Sequence, residues 1–198
     1  MSSKMLNKLE YNEFSGPAKS PEEIKQMETP EDLDEIERSK LLLTKKSQVQ
    51  QIAILTNLHF LFRDVPASQE HLLPIVLKNV LTWSEELQIE AGRALSKILD
   101  SDLLDKANLE AVFEITVQML KIWSQKVLQE WVGVFKSLVR HLSSARLLEA
   151  IELSLTLSDT SQPLASRSAA AHLMGMLAQK VDNKTFEAKL LAKVKRLC

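Results

Sequence analysis

Trp83-Ser84 and Trp123-Ser124 stand forty residues apart, and the segments they open are alike: Trp-Ser-Glu-Glu-Leu-Gln at 83–88 and Trp-Ser-Gln-Lys-Val-Leu-Gln at 123–129. A motif that returns at a period near forty marks a chain built from copies of one supersecondary unit. Such units cannot bury their apolar faces alone, so they stack. This constraint points away from an enclosed catalytic domain and toward a scaffold.

The period extends beyond the tryptophans. Stepping by forty from Leu55 meets Leu95 and Phe135, then Met174 one residue short. From Ile54 the steps give Ala94, Val134 and Leu173; from Leu58 they give Ile98, Leu138 and Leu177. All of these positions are apolar in a chain that is 45% apolar, so the coincidence is informative. Within each copy the three positions have offsets of 0, 1 and 4, which is one face of a helix. A second register, Leu33, Leu73, Phe113 and Leu153, begins earlier in each unit. Ile36 and Val76 follow it three residues on, and Thr116 breaks the pattern. Each unit therefore reads as two helices, A and then B.

The expected pairs are 30–44 with 46–64, 68–82 with 85–100, 107–122 with 125–142, and 144–158 with 163–180, followed by a last helix from about 183. The fold class is all-α, an α-solenoid of four helix pairs plus a terminal helix. Four glycines and one tyrosine in 198 residues suit that class and argue against a turn-rich β-fold. Pro74 falls inside the second A helix, where it removes one hydrogen bond and is expected to bend or split the helix. Gly92, Gly133 and Gly175 fall inside B helices, and close approach of stacked helices is the expected reason.

Residues 1–19 are polar and read as a flexible lead-in, with the repeat domain occupying 20–198. Ser20-Pro21-Glu22-Glu23 and Thr29-Pro30-Glu31-Asp32 read as helix starts, with a capping hydroxyl followed by proline at the first helical position. Both also match sites of proline-directed phosphorylation. At the other end, Leu190, Leu191, Val194 and Leu197 form an apolar stripe with no capping unit after it, so the chain reads as the start of a longer solenoid.

Composition excludes several classes of function. A net charge of −1 does not suit a nucleic-acid binder. The acids concentrated at 21–38 and the bases after Lys180 fit solvated helix ends or, for the acids, a docking strip. No apolar run is long enough to span a membrane, and Met1 to Lys8 has no secretory core. The single cysteine, Cys198, permits no disulfide within the chain and fits a reducing, cytoplasmic setting. His59, His71, His141 and His172 have no metal-ligand spacing. There is no glycine-rich phosphate loop and no nucleophile elbow. No catalytic residue, metal, cofactor or small-molecule ligand is expected.

Trp83, Ser84, Trp123 and Ser124 are the candidate partner-binding residues. They lie at the turn between helix A and helix B of successive units, so stacking sets them along one ridge. Partly exposed tryptophans are favoured interface anchors. The competing reading, that both indoles fold back over the helix ends and close the core, stays open. Trp131 shares a register with Ala91 and Ala170 and is expected in the core or lining a groove.

The forty-residue helix pairs resemble HEAT repeats, most clearly at Ala165–Ala178 with its arginine, alanine run and Met-Gly-Met-Leu close. Ser20–Ile24, Glu31–Arg38, Val49-Gln50, Asn57-Leu58 and Phe60-Leu61 resemble the opening of HEAT-repeat regulatory subunits of serine/threonine phosphatase 4, and Ser166–Cys198 is also similar. The segment 80–145 matches in architecture alone. The resemblance implies a non-catalytic subunit that holds a phosphatase catalytic subunit and biases substrate access. It also implies that turns within repeats face the partner, as in the related scaffold of phosphatase 2A. The rival readings are a HEAT adaptor for transport or trafficking and an enzyme of unknown type on a helical fold.

Overall fold

The computed structural model describes residues 33–44 and 47–180, with 184 and 188. The proline-directed sites at Ser20 and Thr29, the 1–19 boundary, the apolar stripe at 190–197 and Cys198 lie outside them. The chain divides into two compact units, 1–38 and 39–198. In the first unit, the Asp34 carboxylate accepts the Glu37 amide at 2.8 Å and caps a helix that starts at Glu35. The expected start near residue 30 is thus corrected: Leu33 and Asp34 are not helical, because Asp34 takes the capping role.

The helices are α1 (Glu35–Thr44), α2 (Gln48–Asp64), α3 (Ser68–Asn79), α4 (Glu85–Asp100), α5 (Lys106–Met119), α6 (Gln125–Leu138), α7 (Ser144–Leu157) and α8 (Leu164–Ala178). Single 3-10 turns follow α3 (Val80–Thr82) and α6 (Val139–His141). The described residues contain no strand. They form an all-α solenoid in which A and B helices alternate. Within the second unit the B helices stack in chain order, α2 on α4, α4 on α6 and α6 on α8. Of the A helices, α3 packs on α2 and α5, α5 on α6, and α7 on α8.

The core follows the forty-residue registers. Leu55, Leu95 and Phe135 are buried, as are Ala94, Val134 and Leu173, and Leu58, Ile98, Leu138 and Leu177. Ile54 and Met174, at the two ends of the stack, are half-buried and pack against the same core. Leu73, Phe113 and Leu153 are buried from the A side. Thr116, which breaks the A register, is nevertheless fully buried. Its hydroxyl donates to the Val112 carbonyl at 2.7 Å, so no polar group is left unpaired.

Two features depart from expectation. The helix α3 runs through Pro74 without splitting; Pro74 is exposed, on the side of α3 away from the core. Close approach accounts for Gly92 alone among the three glycines. A Cβ there would lie 3.4 Å from Trp131 Nε1, whereas one at Gly133 would meet only Ser96 Oγ at 3.9 Å and one at Gly175 would meet nothing within 4 Å.

A buried glutamine closes each of the first two A–B turns. Gln51 Nε2 donates to the Leu43 carbonyl at 2.8 Å, and Gln88 Nε2 donates to the Val80 carbonyl at 3.1 Å. These carbonyls lie at or just past the ends of A helices, where the regular donor four residues on is missing. Gln88→Leu keeps the apolar stem but leaves the Val80 carbonyl only the longer bond from the Trp83 amide, at 3.4 Å. It is expected to lower stability by about 1 kcal/mol, read as a lower urea midpoint with an unchanged slope.

The end of α4 also has a cap of its own. Asp102 adopts a left-handed φ of 53°, the Asp102 amide donates to Leu99 O at 3.1 Å, and the Leu103 amide donates to Ile98 O at 3.4 Å. This is the double hydrogen-bond pattern that closes helices, with aspartate in the place glycine usually takes. Arg140, from the next repeat, donates to Leu99 O at 2.6 Å and to Asp102 Oδ1 at 3.2 Å, joining the two repeats at that corner.

Candidate functional site

The A–B turns place the four candidate residues in unlike settings. Trp83 follows the 3-10 turn, and its amide donates to Val80 O at 3.4 Å. Its indole is half-buried and packs against the core. Trp123 follows two successive three-residue turns after α5, and its side chain is 76% exposed. The two readings of the pair therefore divide between its members: Trp83 closes the core and Trp123 stands on the surface. Nearby Leu81 is also exposed and adds apolar surface beside Trp83.

The serines divide as well. Ser84 stands at the N-cap of α4 in extended backbone, with no side-chain cap bond. Ser124 caps α6 by accepting the Val127 amide at 3.4 Å. Its hydroxyl also donates to Glu85 Oε2 at 2.7 Å. One repeat's second motif residue thus holds the other repeat's third, which sets the two turns side by side. Glu85 was legible as a neighbour of the motif, but its bond to Ser124 shows only in three dimensions.

The B layer next to this ridge is laced by polar contacts. Gln48 donates to Glu86 across α2 and α4. Thr56 donates to Glu90 at 3.1 Å, and Arg93 pairs with Glu90 and, across to α6, with Glu130 at 3.2 Å. The hydrogen bond that Arg93 donates to Glu130, with that carboxylate's charge, raises the Arg93 pKa, and Glu90 adds to the effect. In the A layer Arg146 of α7 meets Glu110 (2.7 Å) and Glu114 (2.6 Å) of α5 and Glu149 (2.6 Å) of its own helix. The hydrogen bonds that Arg146 donates to Glu149, Glu110 and Glu114 hold its pKa above the ordinary arginine value.

These groups hold helices together; none forms a nucleophile–base pair. The histidines sit apart. His59 stacks edge-on with Phe60, His71 is exposed on α3, Arg140 Nε donates to His141 Nε2, and His172 is exposed on α8. Among the described residues no cluster of His, Cys, Asp or Glu could hold a metal ion, and no helix is long and apolar enough to cross a membrane. What the A–B turns present is a partly apolar ridge, tied across repeats by the Ser124–Glu85 hydrogen bond.

Over 183 residues, 91% of this chain, the sequence is 28% identical to a Homo sapiens protein and 27% identical to its Mus musculus counterpart. The chain resembles serine/threonine-protein phosphatase 4 regulatory subunit 4. It spans 21% of the length of these relatives. No family model and no solved structure matches it. An aligned stretch of 183 residues in a chain of 198 takes in the segment that holds the Trp83 and Trp123 turns.

Proposed function

We propose that this chain is part of a non-catalytic regulatory scaffold of a serine/threonine phosphatase of the phosphatase 4 type. It holds the catalytic subunit and influences which phosphoproteins reach it, in the cytoplasm. The observation that carries this reading is the similarity to proteins named as regulatory subunits, along 91% of a chain that folds as stacked helix pairs. The ridge at Trp83, Ser84, Trp123 and Ser124 is the proposed contact, with Trp123 as its anchor, because an exposed indole has the most surface to bury.

Purified chain mixed with phosphatase 4 catalytic subunit is expected to co-elute with it in size-exclusion chromatography. Trp123→Ala should weaken that complex by about 2 kcal/mol or more, the range of an interface hot spot, with no change in thermal midpoint, since the indole lies outside the core. Trp83→Ala should move both binding and stability. A folded chain that forms no complex, but recovers transport or trafficking proteins from extract, would favour the adaptor reading instead. Phosphate release by the purified chain alone would overturn the non-catalytic assignment.

A further inference from the structure

Serine followed by glutamine occurs four times in the chain, at Ser47-Gln48, Ser68-Gln69, Ser124-Gln125 and Ser161-Gln162. One class of protein kinase selects this pair. The fold sets the four serines in unlike places. Ser68 is fully buried, and its hydroxyl donates to the Leu61 carbonyl at 3.0 Å. Ser124 is half-buried, caps α6 and donates to Glu85. Ser47 is half-buried at the start of α2. Ser161 alone of the four is exposed. It lies in the connection between Leu157 and Leu164, the longest segment without helix among the described residues. A kinase must draw its acceptor into an extended strand, and exposed irregular backbone yields most easily to that.

The surroundings of Ser161 are charged in a particular way. Asp159 Oδ1 accepts both the Ser161 amide at 3.0 Å and the Ser161 hydroxyl at 2.8 Å. The Asp159 carbonyl accepts the Gln162 amide at 3.0 Å. On the other side, exposed Arg167 stands in the first turn of α8. Arg63, Arg93, Arg140 and Arg146 each meet an acid, whereas Arg167 has no ion pair among the described residues. A base so placed faces the positive end of the helix dipole, so Arg167 is a cation in want of a counter-charge.

We propose that Ser161 is a phosphorylation site for a kinase that selects serine followed by glutamine, and that the phosphoserine exchanges Asp159 for Arg167 as its partner. Ser161 Oγ bonds to the γ-phosphorus of ATP, the bond from that phosphorus to the β–γ bridging oxygen breaks, the hydroxyl proton is released and ADP leaves. A hydroxyl that donated to Asp159 becomes a group of charge about −1.5 to −2 with no proton to give. Like charge parts it from the carboxylate, and the guanidinium takes its oxygens. Gln125 and Ala165 border one hollow, so the modified turn lies beside the Trp123 turn. The site does not depend on the phosphatase reading.

The folded chain, incubated with ATP and a kinase of this class, is expected to gain one phosphoryl group, placed on Ser161 by fragment-ion mass spectrometry. Ser161→Ala should remove the label. In the modified chain the Ser161 and Gln162 amides should exchange with solvent about tenfold faster, as their Asp159 acceptors are lost. A phosphorus-31 titration reads the new partner: Arg167→Gln should let the phosphate take its proton at higher pH, because the guanidinium favours the dianion. The site is overturned if the folded chain stays unlabelled, or if Ser47 or Ser124 takes the phosphate ahead of Ser161. The exchange of partners is overturned if the phosphate titrates alike with and without Arg167, or if amide exchange at Ser161 is unchanged by the modification.

Discussion

Replacing Trp131 with alanine is expected to lower the free energy of unfolding by about 3–5 kcal/mol, a large share of the roughly 5–15 kcal/mol available to a domain. The indole is fully buried between α4 and α6, and Nε1 donates to the Gln88 carbonyl at 3.0 Å. That carbonyl already serves the α4 ladder, so the indole bond is an addition rather than a rescue. Most of the loss should therefore come from the cavity. Trp131→Phe separates the two effects: it fills most of the space, lacks the donor, and should cost about 1 kcal/mol. Urea unfolding followed by far-ultraviolet circular dichroism measures both. Gly92 supplies an internal check, because it lies beneath the ring. Gly92→Ala should gain its full helix-propensity benefit of about 1 kcal/mol in the Trp131→Ala background, and less in the native chain. A double-mutant cycle with no coupling between these positions would show that the ring does not rest on Gly92.

Phe113→Ala is the second substitution with a large expected effect, again about 3–5 kcal/mol. Phe113 is fully buried in α5 and forms the floor beneath Arg146, whose guanidinium carbon lies 4.9 Å from the ring centroid. Removing the ring leaves a cavity and takes away the face on which the cation rests, a contact worth about 0.5–1 kcal/mol at a partly exposed position. Phe113→Leu should cost less, because it keeps much of the volume. Arg146→Met tests the upper half of the arrangement. Its three carboxylate partners are partly exposed, and exposed ion pairs contribute about 0–1 kcal/mol each, so the loss should be small and should shrink further in high salt. If Arg146→Met cost as much as Phe113→Ala, the α5–α7 contact would be electrostatic rather than packed.

Much of this architecture was legible because the repeat writes its core in one period. Leu58, Ile98, Leu138 and Leu177 needed only counting, and all four are buried. The glutamine clasps were not legible in the same way. Gln51 and Gln88 are thirty-seven residues apart, and a step of forty carries Gln88 to Leu128. What repeats there is the position four residues into a B helix, which depends on where that helix begins. Trp83 and Trp123 illustrate the opposite difficulty. Their sequence settings match, yet the turns leading to them differ, and one indole is packed while the other is exposed. The registers also hide a difference between successive junctions. Trp131, the seventh residue of α6, packs over Gly92, while the seventh residue of α8 is Ala170.

That difference between successive junctions has a mechanical consequence. Resistance to bending in a stack comes from side chains wedged between neighbouring helices, since an interdigitated seam must lose contacts before it can shear. The α4–α6 seam has a tryptophan as its wedge, whereas the α6–α8 seam has alanine and more sparing contact. The second unit is therefore a rod of uneven compliance, stiff through its middle and softer toward α8. A load carried along it would be taken up as flexing at the softer seam, while the spacing between the Trp83 and Trp123 turns stayed constant.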